Sequence, residues 1–173
     1  MKLLVAVVLA LVACSGAAVA DSYHAVGNWH IRGSTSPFDD SVTVNMELYS
    51  LDRIRGRAGR NGKPRLYIRC QEGTTSAYIT FASNFMSDVQ DYGQVRYRLD
   101  QDGAVTKSMH ASTDNMALGL WSDDTAIPFI EDMFGHEMMI VSATPYNASP
   151  QTMRFNVKKL EEAVQPLREA CNW

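Results

Sequence analysis

Apolar and polar residues exchange places at nearly every step through the middle of the chain. "VTVNMEL" sets Val42, Val44, Met46 and Leu48 on one side. "RLYIRC" sets Leu66, Ile68 and Cys70 against Arg65, Tyr67 and Arg69, and "VRYRL" sets Val95, Tyr97 and Leu99 against Arg96 and Arg98. "MRFNV" aligns Met153, Phe155 and Val157, while "SAYITFA" and "EMMIVSAT" read as further strands with a less regular pattern. A period of two with one apolar face predicts antiparallel sheet that is wet on one side. Turn chemistry separates the runs at Asn61-Gly62, Gly73, Asp102-Gly103 and Pro145-Tyr146-Asn147. The predicted fold is mainly β, an antiparallel sandwich or bent sheet with a C-terminal helix packed on it.

Two segments change period. "DDTAIPFIEDMFG" predicts a helix with Asp124 as N-cap, Pro128 in its first turn and Gly135 as its stop. Near the end, Val157, Leu160, Val164, Leu167 and Cys171 recur at steps of three and four, which is one face of a helix. Pro166 predicts a kink or a restart within it.

The first 20 residues change the compartment. Lys2 followed by the apolar run Leu3 to Val12 reads as a signal peptide, too short to span a bilayer. Two processing readings compete. Ala18-Val19-Ala20 directs cleavage before Asp21, leaving a single domain over 21–173. Leu11-Val12-Ala13-Cys14 instead fits a lipobox, with a lipid on Cys14. The short distance to Cys14 favours simple cleavage. Either route predicts a periplasmic or secreted location outside the cytoplasm, with the outer membrane as the alternative if the protein is a lipoprotein. No other segment is long and apolar enough to be a membrane helix.

Export also changes the meaning of the cysteines. The chain has three. With Cys14 removed or lipidated, Cys70 and Cys171 remain in an oxidising compartment, where a pair of thiols usually becomes a disulfide. The alternative is two separate buried thiols. A bond would close a loop of about 100 residues, worth ~4.7 kcal/mol in the chain-entropy account. It would also fasten an end that otherwise frays.

Composition adds exclusions. With 46% hydrophobic and 20% charged residues the chain is globular, and a net charge of -3 gives no reason to expect nucleic acid as a partner. "DRIRGRAGRNGKPR" carries Arg53, Arg55, Arg57, Arg60, Lys63 and Arg65. Its glycines and lack of aromatics favour a solvated hairpin loop over an anion-binding patch. Asp39-Asp40, Asp123-Asp124 and Asp114 read as caps and turns, because no calcium-loop spacing surrounds them. His24, His30, His110 and His136 are not spaced as a metal pair, and there is no nucleophile elbow or phosphate loop. No catalytic residue, metal or cofactor is expected. The residues with a binding reading are Arg65, Arg69, Arg96 and Arg98 on the wet faces of the strands. Arginine is enriched in protein interfaces, and it also keeps sheet surfaces solvated.

An ordered set of short segments carries a resemblance: Trp29 in "GNWHI", then "SPFDDS", "KPRLYIRC", "VRYRLD", "STDNMAL", "AIPFI", "TPYNASPQTMRFNV" and "LREACNW". From about Val26 to Trp173 the chain resembles the TagO/VasI family of bacterial type VI secretion-associated proteins. The resemblance implies a small exported domain, sometimes a lipoprotein, with paired cysteines at Cys70 and Cys171. It implies no catalytic residue. Where it leads one to expect a tryptophan ahead of the serine-aspartate motif, this chain has Met109-His110. The function expected is a non-catalytic envelope accessory or binding protein whose partner is an envelope or secretion-apparatus protein, with membrane contact only through a lipid at Cys14. Two alternatives stand beside it: a periplasmic or cell-wall hydrolase using His110 or Asp114, and a structural or inhibitory envelope protein.

Overall fold

The computed structural model describes residues 22–173. The segment expected to be a signal peptide, with Cys14, lies outside the described residues. In chain order the elements are β1 (Ser22–Val26), β2 (Trp29–Thr35), β3 (Val42–Tyr49), β4 (Ile54–Arg55), β5 (Asn61–Gly62), β6 (Arg65–Gln71), β7 (Thr74–Thr80), β8 (Gln94–Leu99), β9 (Val105–Ser108), β10 (His110–Ala111), β11 (Ala117–Leu120), α1 (Asp123–Asp132), β12 (Met138–Ala143), β13 (Gln151–Asn156), α2 (Leu160–Ala163) and α3 (Gln165–Cys171).

The strands form a seven-stranded sheet in the order β1-β2-β3-β6-β7-β11-β10, a four-stranded sheet in the order β13-β12-β8-β9, and a small β4-β5 ribbon. The sheet pairings are antiparallel. Alternation does what the sequence predicts. Val44, Met46, Leu48, Leu66, Ile68 and Cys70 face inward from the large sheet, and Val95, Tyr97, Leu99, Met153 and Phe155 from the small one. All of them belong to one buried cluster that also takes in residues of α1, α2 and α3. Glu72 and Gly73 both have left-handed backbone, φ 51° and 70°, and form the two-residue turn between β6 and β7. Tyr97 lies edge-on against Phe129 of α1 at 5.3 Å and donates to Asp132 Oδ2 at 3.1 Å. Burial, with the Asp132 charge and hydrogen bond adding to it, pushes its phenol up to about 12.

Two further ties hold the layers together. Leu51 N–H donates to the Arg154 carbonyl at 2.8 Å, and Asp52 grips the Arg154 guanidinium at 2.7 and 3.0 Å. These contacts fasten the end of β3 to β13, one strand from each sheet. The guanidinium holds the Asp52 carboxyl below its usual range. The second tie is covalent. Cys70 on β6 is bonded to Cys171 at the end of α3, with Cα atoms 5.7 Å apart. The C-terminal helical segment does restart: α2 ends at Ala163, Pro166 falls in the first turn of α3, and Leu160, Ala163, Val164 and Leu167 are buried. Trp173 folds back beside Arg168, whose guanidinium lies 5.0 Å from its ring.

Three local expectations are corrected. Helix α1 is capped by Ser122 rather than Asp124, because Ser122 O already accepts from Thr125 and Ala126 N–H. Asp123 and Asp124 instead occupy the first turn, where acids suit the helix dipole, and Asp123 also accepts from Thr75 N–H at 2.7 Å. Pro128 therefore sits at the sixth helical position, beyond the first turn. The third correction is Asn61-Gly62, which is strand β5 paired with β4. The turn falls earlier, on a 3-10 segment at Arg57–Gly59, closed by Gly56 N–H to Arg60 O at 2.8 Å. The basic side chains Arg53, Arg55, Arg57, Arg60 and Lys63 are exposed on this hairpin.

Asp100, in the turn that follows β8, fastens the start of the neighbouring strand β12. Its Oδ1 accepts from Met138 N–H at 2.8 Å, Glu137 N–H adds longer bonds, and His136 Nδ1 lies 3.0 Å from Oδ2. These backbone donors, Met138 first, hold its carboxyl below the usual range. A carboxyl depressed in the folded state contributes stability that is complete above its unfolded pKa and fades as pH falls through the folded one. Asp100→Asn is therefore expected to weaken the fold at neutral pH, with the gap to wild type closing as pH drops below about 4. Urea unfolding at neutral and acid pH measures this. A gap of constant size would remove the charge from the account.

Candidate functional site

The outer face of the large sheet carries a continuous row. Cross-strand register sets His30 against Glu47, Glu47 against Tyr67, Tyr67 against Tyr78, Tyr78 against Gly119, and Gly119 against His110. Side chains opposed in this way are close enough to interact. Tyr67 and Tyr78 stack at 5.0 Å with planes 17° apart. Trp121 extends the stack onto Tyr78 at 5.1 Å and 27°.

Trp121 reaches that place because of Gly119. A Cβ on Gly119 would lie 2.5 Å from Tyr78 Cβ and 2.9 Å from Trp121 Cζ2. The missing side chain is thus the space the indole uses. Trp121 Nε1 donates to the His110 carbonyl at 3.0 Å, which ties the far end of the row to β10.

Charges frame the aromatics. Tyr67 donates to Glu47 Oε1 at 2.9 Å and accepts from Arg65 at 3.1 Å, and Arg65 also pairs with Glu47 at 2.9 Å. Arg65 lies 4.9 Å from the Tyr49 ring. The hydrogen bond that Arg65 donates to Tyr67 is the main cause that holds the Arg65 guanidinium above the usual range. Arg69 lies 5.7 Å from the centre of the Tyr78 ring. Burial raises the Tyr78 phenol; Arg69 opposes that rise, and Glu47 and Asp114 add to it. Beside the stack is a concavity of about 420 Å³ whose lining includes Arg69, Tyr78, Ser112, Thr113, Asp114 and Trp121.

The sequence-predicted residues divide. Arg65 and Arg69 flank the aromatic row. Arg96 and Arg98 lie on the outer side of β8, in the other sheet, so the four arginines do not form one surface. Asp114 shares the concavity with Arg69, but its Oδ1 accepts from Ser112 Oγ at 2.6 Å and Met116 N–H at 3.0 Å. Those bonds, Ser112 first, hold its carboxyl below the usual range. Such a group is a turn cap that stays ionised, not a proton donor. His110 is directed to Asp88, 3.1 Å away, and most of its ring is in solvent. Among the described residues no group of three His, Cys, Asp or Glu side chains is placed to hold a metal ion. No described helix is long and apolar enough to cross a membrane.

Tyr78, Gly119 and Trp121 were not singled out by sequence reasoning. The available signal was Tyr78 at the central outward position of "SAYITFA", between Ser76 and Thr80, together with the glycine two places before a tryptophan in "ALGLW".

Comparison with known proteins bears on fold and family. The solved structure of invasion associated protein B from Bartonella henselae shares the fold, with a TM-score of 0.51 and 10% identity, over 88% of this chain and 99% of that one. No curated protein matches the chain. The family described as "Type VI secretion system VasI, EvfG, VC_A0118" matches residues 34–173, most of the sequence. By that match, and with the segments that first carried the resemblance lying almost wholly inside it, the chain belongs to the VasI family of type VI secretion system proteins.

Proposed function

We propose that this protein is a non-catalytic accessory of a type VI secretion apparatus, exported to the envelope, which holds an envelope or apparatus protein against the outer face of its large sheet. The observation that carries this reading is the Tyr67–Tyr78–Trp121 stack bordered by Arg65 and Arg69. Tyrosine, tryptophan and arginine are the residue types that dominate binding energy at protein interfaces. Here their rings are held in place before any partner arrives, so little side-chain entropy is lost on docking. Support for binding over hydrolysis comes from Asp114, which is engaged as a turn cap, and from His110, which faces Asp88.

Capture from envelope extracts tests the reading and separates the two arginine-bearing faces. Arg65→Glu/Arg69→Glu is expected to lose a partner that wild type retains, whereas Arg96→Glu/Arg98→Glu is expected to keep it. The reverse pattern would move the binding surface to the small sheet. Peptidoglycan degradation by the purified protein, abolished by His110→Ala or Asp114→Ala, would overturn the non-catalytic reading.

A further inference from the structure

The concavity beside Trp121 has its own chemistry. Among the described residues Arg69 makes no ion pair, and its Nε is buried without a hydrogen-bond partner. Ser76, directly across from Arg69 in the β6–β7 register, is 4% exposed and its Oγ is likewise unpartnered. Buried polar groups normally find partners, and native proteins leave few without one. Arg69 is held at the Tyr78 ring, and its guanidinium lines the concavity. Asp114 lines the same concavity and stays ionised, because its turn bonds favour the charged form. The cavity thus offers a cation with unused donors, a fixed anion, and an aromatic wall made of Tyr78 and Trp121. Its volume falls in the lower part of the range for small-molecule sites.

We infer that this concavity binds a zwitterionic ligand, with a free carboxylate on Arg69, an ammonium on Asp114 and an apolar body against Trp121. An amino acid and a dipeptide both have this chemistry. A guanidinium offers a carboxylate two parallel hydrogen bonds, and Asp114 disfavours ligands that carry only negative charge. The inference deepens the proposed function, since it rests on the same face being a binding surface and names a chemical group that the surface recognises.

The probes are alanine, dialanine, N-acetyl-dialanine, which lacks the ammonium, and dialanine amide, which lacks the carboxylate. Nitrogen-15 NMR of the mature protein follows the Trp121 indole N–H. Dialanine is expected to shift it saturably, N-acetyl-dialanine more weakly, and dialanine amide not at all. Arg69→Gln is expected to weaken dialanine about tenfold or more, the scale of a lost charged hydrogen bond. Asp114→Asn is expected to narrow the difference between dialanine and its acetylated form. Alanine binding as well as dialanine points to a free amino acid; binding of dialanine alone points to a dipeptide. If no probe shifts Trp121 saturably in wild type, or if the amide binds like the free acid, the inference fails. That failure alongside retained capture of a protein partner leaves the proposed function standing. Loss of capture in Arg65→Glu/Arg69→Glu has no bearing on the wild-type probe series.

Discussion

Cys171→Ser is expected to lower stability by roughly 2–5 kcal/mol, the usual cost of removing a native disulfide from a small secreted domain. In thermal unfolding this is a fall of roughly 4–20 °C for a domain of this size. The bond joins residues 101 positions apart, so most of the effect is expected in the unfolded chain, which gains freedom once the loop opens. The native contacts change little, because Cys70 is buried among apolar side chains and a thiol packs there as a small hydrophobe. Losses should concentrate at the end of the chain. Beyond Val164 the segment keeps only Leu167 fully buried, with Ala170, Cys171 and Trp173 partly covered. Hydrogen exchange of α3 is therefore expected to quicken more than that of β3 or β6. Equal unfolding of the wild type with and without reductant would show that the bond carries no stability.

Gly119→Ala is expected to cost about 1–3 kcal/mol, as overpacking does in a filled site, and to dislodge Trp121 from Tyr78. The new methyl would stand 2.5 Å from Tyr78 Cβ, a position that backbone-bound neighbours cannot vacate by rotation alone. The indole is the mobile neighbour, so its hydrogen bond to His110 O is the contact that should break. A displaced indole N–H resonance and a red-shifted emission would register the change, together with reduced partner capture. An unaltered Trp121 resonance in a folded variant would mean that the glycine is not what admits the ring.

Much of this fold was legible because side-chain alternation reports burial directly. β3, β6, β8 and β13 each have one face in the core and one in solvent, and each was readable. β11 was not. All four of its residues are buried, so the outward positions Ala117 and Gly119 look like the inward Leu118 and Leu120. The tryptophan that leans back over Gly119 is part of what removes the contrast. β4, β5 and β10 have two residues each, too short for any period to show. The pairing of Cys70 with Cys171 needed only parity and compartment. The aromatic row needed more, since it joins β3, β6, β7 and β11, and no local pattern states which strands become neighbours. The same gap explains the arginines. Alternation identified each as outward-facing, but it could not say that β6 and β8 belong to different sheets.

The distance along the chain between the two joined cysteines also sets a schedule. At ~5–20 residues per second of synthesis, Cys171 follows Cys70 by roughly 5–20 s. During that interval Cys70 has no native sulfur to meet. A chain that stops between Cys70 and Cys171 leaves Cys70 without its partner, available to other thiols and to the machinery that sorts defective proteins. Closure of the bond therefore registers that the polypeptide extends at least through Cys171, at the end of α3.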